Sequence, residues 1–502
     1  MKTLVSSILL GALLIGAVAC KEPTIDEGIL PFTSPGSPDA DGGNWRTIVL
    51  KSGSAITVPQ PTAITSDAYQ KELSDVKNGL LSSTPEQNTA VNYWAAGGVL
   101  RWNQIARQLV AKYNTPPGYD NATGQVVTAA TANQYAGSPY AARVYALLSV
   151  AQYDALVVAW RAKYQYNRAS LEKQGVITRV PVLDVPSYPS EDAAIAEASC
   201  QVLAYLFPNE VAFLKAKAAE HKQSRVWAGT NVPSDVKAGE DLAAAVAATV
   251  IDRAKTDRFS QSIDATNTWQ TKLAAAPYDQ KWRSLELPAR SPILPLAGTV
   301  KTWFDSTAVF QAVPAAPPAT SSAEFQKALS EVRDIATTRS RDQWRIANYW
   351  DNGTNTYSQS GQWNFLVEDL IRQNSQNELR SARTYALMNR AMQDAITVAW
   401  NTKYRYFTPR PSQVDATIKT ATVIPNTPGY VSDQTAVSSA ATTVLAYLFP
   451  DESANLTRQA GESAMAELYG GTSFRFDTEA GAKLGGFIGQ TAVAGAKADG
   501  AK

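Results

Sequence analysis

Apolar residues recur at spacings of three and four along most of this chain, the period of an amphipathic helix. In the first half the pattern predicts helices over Asn92–Tyr113, Ala141–Lys163, Ser190–Leu206 and Val236–Ala254. In the second half it predicts them over 341–351, 360–374, 379–402, 432–448, 452–468 and 477–496. Phe207-Pro208 and Phe449-Pro450 mark stops, because proline has no N–H to continue a helix. Strand-like runs are few and short, Trp45–Leu50 among them. The expectation is an all-α protein of antiparallel helices.

The pattern also repeats. VLAYLFP at Val202–Pro208 returns at Val444–Pro450, 242 residues on. At the same offset Pro186, Tyr188, Ser190, Gly229, Asp235 and Gly239 match Pro428, Tyr430, Ser432, Gly471, Asp477 and Gly481. Upstream the offset is 240, where Tyr145, Asp154, Trp160 and Lys163 match Tyr385, Asp394, Trp400 and Lys403. A unit of about 200 residues is a typical domain size, so the chain reads as two tandem helical bundles. Boundaries are expected near residues 62, 260 and 320, giving a first bundle at 62–260 and a second at 320–498. Residues 261–319 include the Pro-rich stretch Leu287–Pro318 and read as a connection.

The N-terminus reads as an address. Lys2 precedes an apolar run, Leu4–Ala19, too short to span a bilayer and ending in small residues at Cys20. Ala17-Val18-Ala19-Cys20 resembles a bacterial lipobox, which makes 1–20 a lipoprotein signal peptide with Cys20 as the lipidated residue. The alternative is an ordinary secretory peptide that ends near a cysteine. Residues 21–61, rich in Pro, Gly, Ser and Asp, read as a flexible tether. The expected location is the bacterial cell envelope, as an outer-membrane or periplasm-facing lipoprotein, with the lipid bilayer as partner through the anchor. Cys200 has no disulfide partner and reads as a buried, inert thiol. The 46 Lys+Arg against 45 Asp+Glu leave a net charge of +1, so no global field recruits nucleic acid.

Three motifs carry a family resemblance. KYRYFTPRP at Lys403–Pro411 has the K-x6-R-P pattern of the type 2 phosphatidic acid phosphatase and vanadium-dependent haloperoxidase superfamily. PGYVSDQTA at Pro428–Ala436 resembles its second motif, P-S-G-H, and LYGGTSFRFD at Leu468–Asp477 its third, S-R-x5-H-x3-D. In the first half PSYPSEDAA at Pro186–Ala194 and SRVWAGTNVPSD at Ser224–Asp235 are similar to the second and third motifs. The resemblance implies an all-α bundle in which Lys and two Arg hold a phosphate or vanadate oxyanion at a helix N-terminus. A third-motif histidine would attack phosphorus or ligate vanadium, and a second-motif histidine would move the proton.

The departures fall on those positions. Gln434 and Ser473 replace the two histidines in the second half, and Ala466-Glu467 replaces Ser-Arg. Asp192 and Asn231 stand at the histidine positions of the first half, where Lys163 is followed by Ala169-Ser170-Leu171 instead of Arg-Pro. Gln cannot titrate near neutral pH, and a Ser without a base is a poor nucleophile. The one histidine, His221, lies among Glu220, Lys222 and Gln223 and reads as a solvated surface residue.

The oxyanion-binding remnants are Lys403, Arg410 and Ser432 in the second half, with Lys163, Ser190 and Arg225 in the first. Acids join them: Asp433 and Glu467, and Glu191 with Asp192. Internal carboxylates in the oxyanion's place would neutralise buried cations, whereas helix N-caps with acids in the first turn would explain the acids alone. The pairs Tyr93-Trp94, Trp102-Asn103, Tyr349-Trp350 and Trp363-Asn364 read as core packing, a ligand-stacking role being the alternative. Two functions remain open. One is a surface lipoprotein with an impaired, pseudoenzyme site that binds or scaffolds, without a cofactor. The other is an oxyanion-handling phosphoesterase or haloperoxidase-like enzyme with a histidine-free site, for which vanadate would be the cofactor. Neither names its small-molecule or protein partner.

Overall fold

The computed structural model describes residues 30–32, 34–115, 118–119, 126–127, 137–287 and 289–501. Residues 1–20, expected to be a signal peptide ending at Cys20, lie outside the described residues. The first half contains α1 (Asp67–Leu81), α2 (Pro85–Trp94), α3 (Gly98–Tyr113), α4 (Ser138–Tyr166), α5 (Glu191–Leu206), α6 (Val211–Trp227) and α7 (Pro233–Lys255). Two short helices follow, α8 (Thr268–Ala275) and α9 (Ser306–Val309). The second half has α10 (Ala323–Thr338), α11 (Arg341–Tyr349), α12 (Ser358–Gln373), α13 (Glu378–Tyr406), α14 (Pro411–Val414), α15 (Asp433–Leu448), α16 (Ser453–Gly470) and α17 (Arg475–Ala496). Between α3 and α4, β1 (Gly118–Tyr119) pairs antiparallel with β2 (Val126–Val127).

Helices that match in sequence match in length. α4 and α13 are both 29 residues, α5 and α15 both 16. Gly239 on α7 and Gly481 on α17 show why the repeat keeps a glycine there. A Cβ would lie 2.2 Å from the Ser190 carbonyl oxygen in one half and 2.4 Å from that of Ser432 in the other. Both helices can therefore press directly on the start of their neighbour.

The halves share one apolar core. α4 packs against α13 at the centre, and buried residues of both halves form a continuous cluster. α4 is long and apolar enough to cross a membrane, but its apolar stretch is wholly buried inside the protein. Asn103 donates to Asn364 at 2.8 Å across this boundary, so the matched asparagines meet one another. The matched tryptophans pack in the core in the same way, with Trp94–Trp102 centroids at 5.7 Å and Trp350–Trp363 at 5.6 Å.

Two expectations need correction. The 21–61 stretch is not a free tether throughout, because Trp45, Leu50 and Val58 are buried in the core. Trp45–Leu50 is not a strand either. Asp154 on α4 accepts hydrogen bonds from the backbone N–H of Ile48, Val49 and Leu50 at 2.7–3.0 Å and straps the segment onto the first half. Asp394, the matched residue of α13, does the same to Trp303 and Phe304 at 2.9–3.1 Å. The 261–319 connection is thereby a second strap, burying Trp282, Leu294, Val300 and Val309.

Candidate functional site

In the second half the site is assembled where α13 ends. Lys403 lies on its last turn, Phe407 turns the chain away in a left-handed conformation, and Arg410 precedes α14. Ser432 caps α15, accepting from Thr435 N at 2.9 Å. Lys403 is 1% exposed, and its Nζ donates to Pro428 O at 3.1 Å, Gly429 O at 3.0 Å and Asp433 Oδ1 at 3.1 Å. An ammonium has three N–H groups, and all are taken. The Arg410 guanidinium, also buried, donates to Thr427 O and Oγ1 and to Thr472 O.

Glu467, near the end of α16, completes the arrangement. Its Oε2 accepts from the Ser432 hydroxyl and, at 3.3 Å, from that of Thr435, while Oε1 accepts from Ser473 Oγ at 2.9 Å. A side-chain carboxylate thus occupies the hydroxyl donors at the start of α15. Burial raises its pKa, aided by Asp433 and opposed by the Ser432 hydrogen bond and the two cations. Burial lowers the pKa of Lys403 against the pull of Asp433. Gln434, expected from the resemblance at the second-motif histidine position, donates to Ser463 O at 3.0 Å.

The first half keeps the lysine's partners at matched positions and changes the others. Lys163 Nζ donates to Pro186 O at 2.6 Å and pairs with Glu191 Oε2 at 2.7 Å. Ser190 caps α5 and donates to Asn231 Oδ1 at 3.1 Å. Arg225 lies 3.7 Å from Asp192 and donates to Ser224 Oγ at 3.0 Å. The peptide two residues before each capping serine is cis in both halves, Tyr188-Pro189 and Tyr430-Val431.

His221 is not a surface residue. It is fully buried, stacked on Trp94 at 4.0 Å, with Nε2 3.0 Å from Asp192 Oδ1. Trp102 donates its indole N–H to Nδ1 at 3.2 Å, so the ring proton lies on Nε2 and is donated to Asp192. Both ring nitrogens are engaged. Burial depresses the His221 pKa in spite of Asp192. For Asp192 burial acts upward but is outweighed by Arg225 and His221, which hold the carboxyl below its ordinary range.

Several site residues escaped the motif reading. Arg168, not a residue of 169–171, is the first-half counterpart of Arg410, buried and 2.8 Å from Asp235. It lies 242 residues before Arg410, which was its signal. Glu378 reaches in from α13 of the other half, accepting from Gly98 N at 2.7 Å and Val99 N at 3.0 Å. Burial beside Asp192 pushes its pKa up to about 7. No sequence pattern marks a residue that acts across halves.

The two sites differ most in free space. A cavity of about 110 Å³ reaches Lys163, Asp192 and Glu378. A larger one of about 720 Å³ reaches Arg410, Asp433, Gln434 and Glu467.

No family model matches the chain, and no curated protein does. Solved structures do. A crystal structure described as the first bacterial vanadium-dependent iodoperoxidase aligns at TM-score 0.59 and 21% identity, over 79% of this chain and 95% of that one. A bacterial vanadium-dependent chloroperoxidase aligns in its holo form at TM-score 0.51 and 12% identity, over 72% and 92%. Its apo form aligns at TM-score 0.50 and 13% identity, over 70% and 92%. The chain has the vanadium-dependent haloperoxidase fold. At these identities the likeness concerns the fold alone.

Haloperoxidase-fold neighbours named for vanadium raise the question of whether vanadate suits these residues. It does not. Lys403 has no N–H left to give, and Glu467 holds a carboxylate on the hydroxyls an oxyanion would need. Among the described residues no group of three or more His, Cys, Asp or Glu is placed to hold a metal ion.

Proposed function

We propose that this protein is an envelope-anchored binding protein on the haloperoxidase fold that no longer carries out oxyanion chemistry. The observation that carries this reading is the Glu467 carboxylate on Ser432 and Ser473, an internal substitute for the anion. Asp433 serves Lys403 in the same sense, and Glu191 serves Lys163. His221 gives no support to an enzymatic alternative, because both its nitrogens are engaged. Anchoring rests on the lipobox-like segment at Cys20. Cys20→Ser should abolish lipid labelling and move the protein from the membrane fraction to the soluble one.

The catalytic part is tested by assay. The purified protein should hydrolyse no generic phosphomonoester and oxidise no halide with vanadate above the buffer rate. Gln434→His with Ser473→His should remain inactive, since Glu467 still opposes an anion at close range. Adding Glu467→Arg should be required before activity appears. Robust wild-type turnover lost on Lys403→Ala would contradict the reading.

A further inference from the structure

The two cavities occupy matched places in the two halves. Trp94, Trp160, Glu191 and Asp192 line the smaller one, and their matches Trp350, Trp400, Asp433 and Gln434 line the larger. The start of a central helix from the opposite half enters each. Asn377 and Glu378, at the start of α13, line the smaller cavity, and Gly137 and Ser138, 240 residues earlier at the start of α4, line the larger.

The exchange of glutamate for serine leaves an opening. In the first half the Glu378 carboxylate spans two consecutive N–H groups at the start of α3, those of Gly98 and Val99. Trp102 and Trp363 align α3 with α12 at an offset of 261, which matches Gly98 to Gln359 and Val99 to Ser360. The contact between the matched residues is kept, since Ser138 Oγ donates to Gln359 Oε1 at 2.6 Å, but no carboxylate arrives with it. Among the described residues no acceptor meets the N–H of Gln359 or Ser360. The same turn of α12 holds two further open donors, the hydroxyls of Ser358 and Ser360, on residues 1% and 0% exposed. Buried donors are normally satisfied, and a helix start favours negative charge. The start of α12 therefore lacks an acceptor that the protein itself supplies, as a carboxylate, to the start of α3.

The charges elsewhere on the wall of the larger cavity already have partners. Asp433 is paired with Lys403 and Glu286 with Arg290. Glu467 accepts from Ser432 and Ser473, and Asp351 accepts from the Gly353 N–H. Arg410 donates to Thr427 and Thr472. Trp350, Leu294 and Ile424 add apolar wall, and Val423, 74% exposed, stands at the mouth. The volume of about 720 Å³ lies within the roughly 300–1,000 Å³ usual for small-molecule sites. We infer that the larger cavity binds a carboxylic acid with an apolar body, its carboxylate on the start of α12 as Glu378 sits on the start of α3. The inference rests on the non-catalytic binding reading above and names the ligand class of that same site.

Calorimetric titration of the full protein tests it, with octanoate and phenylacetate as probes and octanamide, phenylacetamide and inorganic phosphate as comparison arms. At least one acid should bind saturably, and its amide, which keeps the apolar body and loses the charge, should bind at least about tenfold more weakly. Ser138→Glu, which supplies the internal carboxylate of the other half, should weaken binding of that acid by at least about tenfold. A thermal midpoint at or above the wild-type value would show that this variant folds; if it does not fold, the acid–amide comparison on the wild-type protein decides. Failure of both acids to bind, equal affinity for acid and amide, tighter binding of phosphate, or unchanged affinity in folded Ser138→Glu would overturn the inference. Phosphomonoester turnover on the same preparations keeps the two readings apart. Turnover would remove the non-catalytic function, whereas absent turnover with neither acid bound would remove only the ligand class.

Discussion

Each half ends a 29-residue helix in a buried lysine paired with the acid that follows a capping serine, yet the charges beyond that pair differ. In the first half Lys163 meets Glu191, and Asp192 is shared between His221 and Arg225. In the second half Lys403 meets Asp433, and Glu467 takes the serine hydroxyls. The position held by Arg225 in one half is held by Glu467 in the other, so the second acid is Asp192 on α5 in the first half and Glu467 on α16 in the second. The common requirement is physical: a buried cation left unpaired is far more costly than one that is paired and hydrogen-bonded. A fold that ceases to hold an external anion must supply internal ones. That both halves keep an acid directly after the capping serine, Glu191 and Asp433, argues for this requirement.

The straps are where the halves agree most, and their removal should have the largest effect. Asp154→Ala or Asp394→Ala orphans two or three buried N–H groups, at about 1–3 kcal/mol each. Asp154→Ala should lose at least ~3 kcal/mol and Asp394→Ala at least ~2 kcal/mol in chemical denaturation. A loss confined to Asp154 would break the structural equivalence of the two straps.

Next in size is the buried aspartate in the first turn of α7 and of α17. Asp235 is paired with Arg168, while Asp477 Oδ1 has no partner. Arg168→Ala should cost about 3 kcal/mol by stranding Asp235. Asp477→Asn should be close to neutral at pH 7. Burial pushes the Asp477 pKa up to about 7 from an ordinary 3.8, so in this window the folded chain keeps a proton that the unfolded chain releases. This residue's contribution to stability therefore falls as pH rises from about 4 through 7. Asp477→Asn should flatten that part of the stability profile, as read from thermal midpoints across pH. An unchanged slope would show that Asp477 is ionised in the folded protein.

How much of this was legible in the chain differs by residue. The helices and the matched Lys, Ser, Asp and Gly positions follow from periodicity and offset alone, because identical side chains at identical helical phase must meet the same neighbours. His221 was misread from its polar neighbours in sequence. Helical phase places it with Leu214, Ala218 and Arg225 on the buried face of α6. The strap at 45–50 looked like a loose segment with one strand-like run, since its three backbone N–H groups find their partner in a carboxylate over a hundred residues away. Glu378 was invisible because it caps a helix of the other half.

The smallest effect is spectroscopic. The chain has a single histidine, so untagged protein gives one imidazole signal. It should show the neutral ring with its proton on Nε2 at pH 7 and resist protonation below pH 6.5, since burial lowers its pKa. Because the unfolded chain takes up that proton first, this contribution to stability is present above pH 6.5 and is lost as pH falls. Asp192→Asn should disturb this signal, whereas Gln434→Ala in the other half should leave it in place.

The central claim is that Glu467 stands in for the oxyanion, and vanadate titration followed calorimetrically tests it most directly. The account predicts no measurable binding of vanadate to the wild-type protein at millimolar concentration. Saturable micromolar binding that is lost on Lys403→Ala would contradict it.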